Sequence, residues 1–254
     1  MTRNMKRRIL TFALVFVMIC GLFAGCAENP YVMLASALAK TEALEEMSVK
    51  MDMEMAMSTS VMSITMPISM RMQAKNAKSE NPTIMTTLSI SILGQKVEAQ
   101  VYQEDGWSYA VMGDLKAKTK SAPELDQYDY SDEIMQEIPE DLVKDAEIVK
   151  NSDGSVTATI RFSSEKFTEI YSDLVDSMSE SLSAAGDVTV ENAVVVITVA
   201  KGYIQSYNME FRVCVDNGDD EPATMDVKAN ISYENPGQPV EITPPEGYQD
   251  FPES

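Results

Sequence analysis

From Ser48 onward the chain alternates apolar and polar residues with a period of two. Val49, Met51, Met53, Met55 and Met57 fall between Lys50, Asp52, Glu54, Ala56 and Ser58. After a turn near Ser58-Thr59-Ser60, the residues Met62, Ile64, Met66, Ile68, Met70 and Met72 alternate with Ser63, Thr65, Ser69, Arg71 and Gln73. Successive side chains of a strand point to opposite faces, so the pattern predicts two half-buried strands with their methionines on one side. Pro67 falls on the polar side of the second strand, and its missing N–H predicts a local edge or a bulge there. Ile84, Thr86, Leu88, Ile90 and Ile92 continue the alternation, followed by Val97, Ala99 and Val101. Glu104-Asp105-Gly106 then predicts a hairpin into Trp107 to Met112, which makes four or five antiparallel strands in a meander.

Helical spacing flanks these strands. Asn29-Pro30 predicts an N-cap with proline at the first helical position, opening a helix from Tyr31 to about Glu46 with Tyr31, Leu34, Ala35 and Leu38 on one face. The acidic stretch 121–147 reads as a crossover of short helical pieces. Ala146 to Lys150 and Val156 to Phe162 form a hairpin around Asn151-Ser152-Asp153-Gly154. Ser163 or Ser164 caps a second helix to about Leu182, with Phe167, Ile170, Tyr171, Leu174, Val175, Met178 and Leu182 on its apolar face. Val194 to Ala200, Tyr203 to Val215 and Ala223 to Tyr233 return to strands, and the prolines after 236 favour an extended, edge-lying tail. Helix, meander, crossover, hairpin, helix, meander is an α+β order with an antiparallel sheet.

The N-terminus changes the compartment. Arg3, Lys6, Arg7 and Arg8 precede an apolar run from Ile9 to Leu22, which ends in Leu22-Phe23-Ala24-Gly25-Cys26. That is the three-part layout of a secretory signal, and its run of about 14 residues is short of the roughly 20 that a spanning helix needs. The ending is similar to the lipobox of bacterial lipoproteins, with Phe23 where leucine is usual. The resemblance implies a signal peptide over 1–25, diacylation of Cys26, a short tether over 26–30 and a single α+β domain over 26–254 held on the outer face of the cell membrane. Loss of 1–25 would leave 16 Lys and Arg against 40 Asp and Glu, a net charge of −24. Such a surface repels nucleic acid. With Cys20 in the signal and Cys26 at the anchor, Cys214 has no partner for an intrachain disulfide.

Candidate chemistry is sparse. The chain has no histidine, which removes Ser-His-Asp and Cys-His catalysis and the His-based zinc motifs, and no glycine-rich phosphate loop is present. No enzyme, cofactor or resident metal is expected. Nine methionines lie between Met47 and Met72 and allow three readings: core filler, a pliable cavity wall for an apolar ligand, or thioether ligation of Cu(I). A copper site needs sulfurs converging on a point, whereas those along one strand stand about 6.6–6.8 Å apart at every second residue. Trp107, Tyr109 and Tyr102 share a face, as a cavity rim or as a plain hydrophobic cluster. Asp216-Asn217-Gly218-Asp219-Asp220-Glu221 lacks the ligand spacing of a calcium loop and reads as a hairpin turn.

The segments 37–40 with 51–55, 101–109, 200–209 and 233–245 together resemble the LolA-like and LppX/LprG-type lipoproteins and the related Gram-positive lipoproteins of that fold. The resemblance implies a curved antiparallel sheet forming an unclosed barrel, with helices packed across its concave face and lipid held between them. Combined with the strand alternation it points to an inward set of Met53, Met55, Ile64, Met66, Ile68, Met70, Leu88 and Ile90, with Leu174 and Met178 as a helical lid. The expected function is non-enzymatic binding of a lipid or another hydrophobic molecule at the cell envelope. An interaction module with a filled core and, further off, Cu(I) binding are the alternatives.

Overall fold

The structure is a computed structural model that describes residues 29–92, 94–120, 143–166, 187–216 and 222–253. Among the described residues one helix, α1 (Pro30–Glu42), precedes eleven strands: β1 (Met47–Ser58), β2 (Ser63–Lys75), β3 (Thr83–Ile92), β4 (Gln95–Glu104), β5 (Trp107–Met112), β6 (Leu115–Lys120), β7 (Val143–Lys150), β8 (Val156–Phe162), β9 (Asp187–Ala200), β10 (Tyr203–Asp216) and β11 (Ala223–Tyr233). They form a single antiparallel sheet in the order β6-β5-β4-β3-β2-β1-β11-β10-β9-β8-β7. Two up-and-down meanders, β1–β6 and β7–β11, are therefore joined where β1 pairs with β11, from Val49 opposite Tyr233 to Ser58 opposite Thr224. β6 and β7 are the two edges, so the sheet is open. The expected α+β class with an unclosed antiparallel sheet is what the molecule adopts.

Helix α1 begins as its caps require. Asn29 Oδ1 accepts the Tyr31 N–H at 2.9 Å, and Pro30 occupies a position where no N–H is needed. It ends at Glu42, four residues before the expected stop, because the chain must turn into β1 at Met47. Its buried stripe is Leu34, Ala37 and Thr41 rather than one centred on Tyr31 and Ala35. Leu34 and Ala37 pack on Val156, Ala158, Ile197, Val199 and Ile204, so α1 covers the β7–β10 end of one face, here called the inner face. Thr41 Oγ1 donates to Ala37 O at 2.8 Å and accepts the Ile204 N–H at 3.0 Å, tying the helix to a bulged stretch of β10.

Several boundaries differ from the sequence reading. β7 starts at Val143, three residues before the expected Ala146, so residues 143–145 are strand instead of helical crossover; residues 121–142 of that crossover lie outside the described residues. β9 starts at Asp187 and carries an irregularity at Asn192, whose φ of 55° marks a bulge that restores the inward facing of Val190 and Ala193. β6 was not foreseen. Its Leu115-Lys116-Ala117-Lys118-Thr119-Lys120 has little apolar content because lysines protect an edge strand. The expected edge at Pro67 is real: the β2–β3 ladder stops at Ile68 opposite Ile90, while β2 continues to Ser63 against β1 alone. Of the second helix only residues 164–166 are described, with the Lys166 N–H 3.5 Å from Ser163 Oγ.

The C-terminal tail crosses the outer face of β1–β6 instead of lying along an edge. Val240 N–H donates to Glu46 Oε2 at 2.8 Å, Gln73 Nε2 donates to Glu241 O at 2.9 Å, and Tyr248 Oη donates to Glu104 Oε2 at 2.9 Å. Only its end reaches the β6 edge, where the Lys118 N–H donates to Pro252 O at 2.8 Å. Under this strap Met85, Tyr102, Tyr109 and Phe251 form a buried cluster with Tyr248, whose ring stands edge-on to both other tyrosines at 5.1 and 4.8 Å. The strap turns at Gly237, with φ of 81°, and a Cβ there would stand 2.7 Å from Tyr203 Oη. Gly237→Ala is expected to lower stability by about 1–2 kcal/mol from the left-handed backbone alone, read as a lower urea midpoint at unchanged slope.

Candidate functional site

The register places an apolar residue of every strand in one continuous row across the inner face. From β7 to β6 it runs Ile148, Ala158, Ile197, Tyr207, Ile231, Met51, Met70, Leu88, Ala99, Met112 and Leu115. The next row is apolar across nine strands, with Val195, Met209, Ala229, Met53, Ile68, Ile90 and Val97 at its centre. Two shorter rows follow, Val227–Met55–Met66 and Val213–Met225–Met57–Ile64. Directly opposed residues of neighbouring strands share a face, so these rows form one surface. The part spanning β1–β6 is roughly 24 Å wide at about 4.8 Å per strand.

All eight strand residues of the sequence-derived set belong to this surface: Met53, Met55, Ile64, Met66, Ile68, Met70, Leu88 and Ile90. Each is partly exposed. Leu174 and Met178, the expected lid, lie outside the described residues, as do Cys26 and the turn 217–221. Burial is uneven along the rows. α1 covers Val156, Ala158, Ile197, Val199 and Ile204 on β8–β10, and Val190, Val213, Val215, Met225 and Val227 form a second buried cluster beside Met53, Met55 and Met57. Over β1–β6 the same rows keep partial exposure and reach open solvent at Val97, Met112 and Leu115. The sequence could have suggested Met112 and Ala99 from their alternation, but Leu115 required β6 to be known.

The methionines are neither all core nor all wall. Met225 is buried, whereas Met51, Met53, Met55, Met57, Met66, Met70 and Met72 are half-buried. Met51 lies directly opposite Met70, and Met55 opposite Met66. These cross-strand pairs are the facing partners that a thioether site would draw on. Among the described residues no group of three or more acidic or Cys side chains is arranged to hold a metal ion.

The other face of the same strands is polar. Asp52, Ser69, Glu54, Lys228, Glu210, Asn208 and Asn230 stand on it, and Ser69 Oγ and Lys50 Nζ donate to Asp52 at 2.6 and 2.7 Å. Both bonds hold the Asp52 carboxyl below its ordinary range. A depression of about 440 Å³ lies here, lined by these residues with Pro67 and the intervening Met53, Ile68, Met209 and Ala229. Most of its wall belongs to the polar face, so it is separate from the apolar rows. Cys214 points to the face opposite Phe211, as its position in β10 implied, and burial raises its thiol pKa. Trp107, Tyr102 and Tyr109 sit under the C-terminal strap; they form a hydrophobic cluster and not a rim of the apolar face.

Tyrosine titration gives a test of both faces. Burial pushes the phenols of Tyr102 and Tyr109, on the outer face, and of Tyr207 and Tyr233, beside α1, above their ordinary value. A raised folded-state pKa contributes stability that is fully present below the unfolded value of about 10 and lost as pH rises through the folded one. Thermal midpoints should fall steeply above about pH 10, with tyrosinate absorbance appearing together with loss of structure. Titration of all ten tyrosines with the sheet intact would contradict the burial assigned to these four.

No helix among the described residues is long and apolar enough to cross a membrane. No protein-family model and no curated protein matches the chain. Solved structures similar to it include LprF from Mycobacterium bovis, at 14% identity over 87% of this chain and 99% of that one, with a TM-score of 0.42. The lipoprotein LppX of Mycobacterium tuberculosis matches at 9% identity over 86% and 100% of the two chains, with a TM-score of 0.40. A DUF1329 family protein from Desulfovibrio piger matches at 10% identity over 84% and 94%, with a TM-score of 0.26.

Proposed function

We propose that this chain is an exported, Cys26-anchored lipoprotein that holds a lipid or another hydrophobic molecule on the apolar rows of β1–β6 and carries out no reaction on it. One observation carries this reading: the rows stay continuous and apolar across the meander, yet over β1–β6 they remain half-exposed. Apolar surface gains roughly 25 cal/mol for each Å² removed from water, so such a face favours a hydrophobic occupant. One leaflet contributes about half of the roughly 30 Å hydrocarbon core, so the roughly 24 Å row is longer than an extended acyl chain of that depth. Half-buried methionines suit ligands of variable shape because thioether side chains re-pack at low cost.

Residues 27–254 contain every described element and can be purified without detergent for native mass spectrometry and organic extraction. A bound mass in the range of a fatty acid or phospholipid is expected. A bare polypeptide mass, unchanged after incubation with lipid, would move the weight to an interaction module with a filled core. Retention of palmitate label by the full chain in cells, and its loss in Cys26→Ser, tests the anchor separately.

A further inference from the structure

Five of the seven large apolar side chains that are exposed among the described residues gather at one end of one meander. In an up-and-down meander the first, third and fifth turns share an end, so the β1–β2, β3–β4 and β5–β6 hairpins all point the same way. Val61 (92% exposed) and Met62 (54%) form the first tip, Val97 (49%) flanks the second, and Met112 (49%) and Leu115 (67%) flank the third. The tips are stepped. β2 runs five residues past its last pairing with β3, which makes Val61 and Met62 the most projecting.

Charge separates this end from the rest of the molecule. Residues 58–66 contain no charged side chain, 90–98 contain only Lys96 and Glu98, and 110–117 contain only Asp114 and Lys116. Lys96 and Glu98 neutralise each other at 2.6 Å. The three tips are therefore net neutral in a chain of net charge −20. Val97, Met112 and Leu115 are also the outer members of the apolar rows, so the neutral end is continuous with the proposed ligand surface.

We infer that this three-hairpin end rests on a lipid bilayer, with Val61, Met62, Val97, Met112 and Leu115 reaching into its interfacial layer. An exposed, net-neutral apolar cluster on an otherwise strongly acidic protein fits a hydrocarbon-rich, weakly charged surface and not a basic or acidic partner. Asp216 and Asp187 stand opposite each other at the same end of β10 and β9, and their charge makes neutral lipid the better substrate than anionic lipid. The inference deepens the ligand-binding reading and depends on it for its purpose: a hydrophobic molecule would pass between bilayer and apolar rows without crossing water.

Vesicle flotation of residues 27–254 tests the contact. The protein is expected to float with phosphatidylcholine vesicles and less with vesicles containing phosphatidylglycerol. Val61→Asp with Met62→Asp should lower partitioning at least about tenfold, since burial of even one such side chain exceeds the roughly 1.4 kcal/mol that a tenfold change represents. Val149→Asp, an exposed apolar residue on the opposite face of β7, should float as the parent does. Failure of the parent to float, or undiminished flotation of the double variant, overturns the inference. So does a parent dimer that the double variant converts to monomer with no vesicle binding, which would make this end an interface between copies. Uptake of a fluorescent fatty acid in vesicle-free buffer is read in parallel. Its absence sinks the ligand reading while flotation still decides the membrane contact.

Discussion

Ile68→Asp is expected to weaken uptake of a fluorescent fatty acid by at least about a hundredfold, because a carboxylate covered by an acyl chain loses several kcal/mol of hydration and each 1.4 kcal/mol is tenfold. Ile68 stands mid-row between Met53 and Ile90, half-buried and facing the apolar side. Both its neighbours in the row are hydrophobic, so nothing there pairs a negative charge. Thr65→Asp is the matched control. Thr65 lies three residues away on the exposed polar side of β2, opposite Ala56, and should leave uptake unchanged. Circular dichroism of both variants establishes that the sheet is kept. If Ile68→Asp bound the probe as well as the parent, the apolar rows of β1–β4 would not be the ligand surface.

The second large effect is on stability. Ile204 is fully buried among Leu34, Ala37, Val156 and Val199, where α1 meets β10. Ile204→Ala should cost about 2–5 kcal/mol, the range for truncating a buried aliphatic residue whose site cannot fully collapse. Its backbone N–H is held by Thr41, which limits how far β10 can move to fill the gap. Met112→Ala, at an exposed position, should change the urea midpoint by less than about 0.5 kcal/mol equivalent. A small cost at Ile204 would mean that α1 is not docked as described. Because α1 immediately follows the proposed anchor, such a finding would also loosen the link between tether and sheet.

Much of the sheet was legible residue by residue. Alternation placed Met53, Met55, Ile64, Met66, Ile68, Met70, Leu88 and Ile90 on one side, and the register brings all eight into one surface. The hairpins at Asp105-Gly106 and Lys201-Gly202 were readable because two successive positive-φ residues suit a tight turn, and the structure has both pairs there. Other features left no comparable signal. β6 is too short and lysine-rich to alternate, and the start of β9 is masked by the bulge at Asn192, which shifts the phase of its apolar residues. Tyr102, Tyr109 and Trp107 pattern like any inward-facing set, and only the path of residues 236–253 shows that they are buried on the face opposite the methionines.

The amino-acid sequence by itself determined which side of each strand is apolar, where α1 begins and where the tight turns fall, because each depends on residues within a few positions of one another. The tertiary structure decided that β1 pairs with β11, that α1 covers β7–β10 and leaves the β1–β6 rows half-exposed, and that the tail straps the outer face. Those outcomes depend on partners far apart in the chain. The entropic cost of bringing such partners together grows only slowly with loop length, so spacing alone discriminates weakly among them. What selects one arrangement is the burial available when all the apolar rows are set side by side.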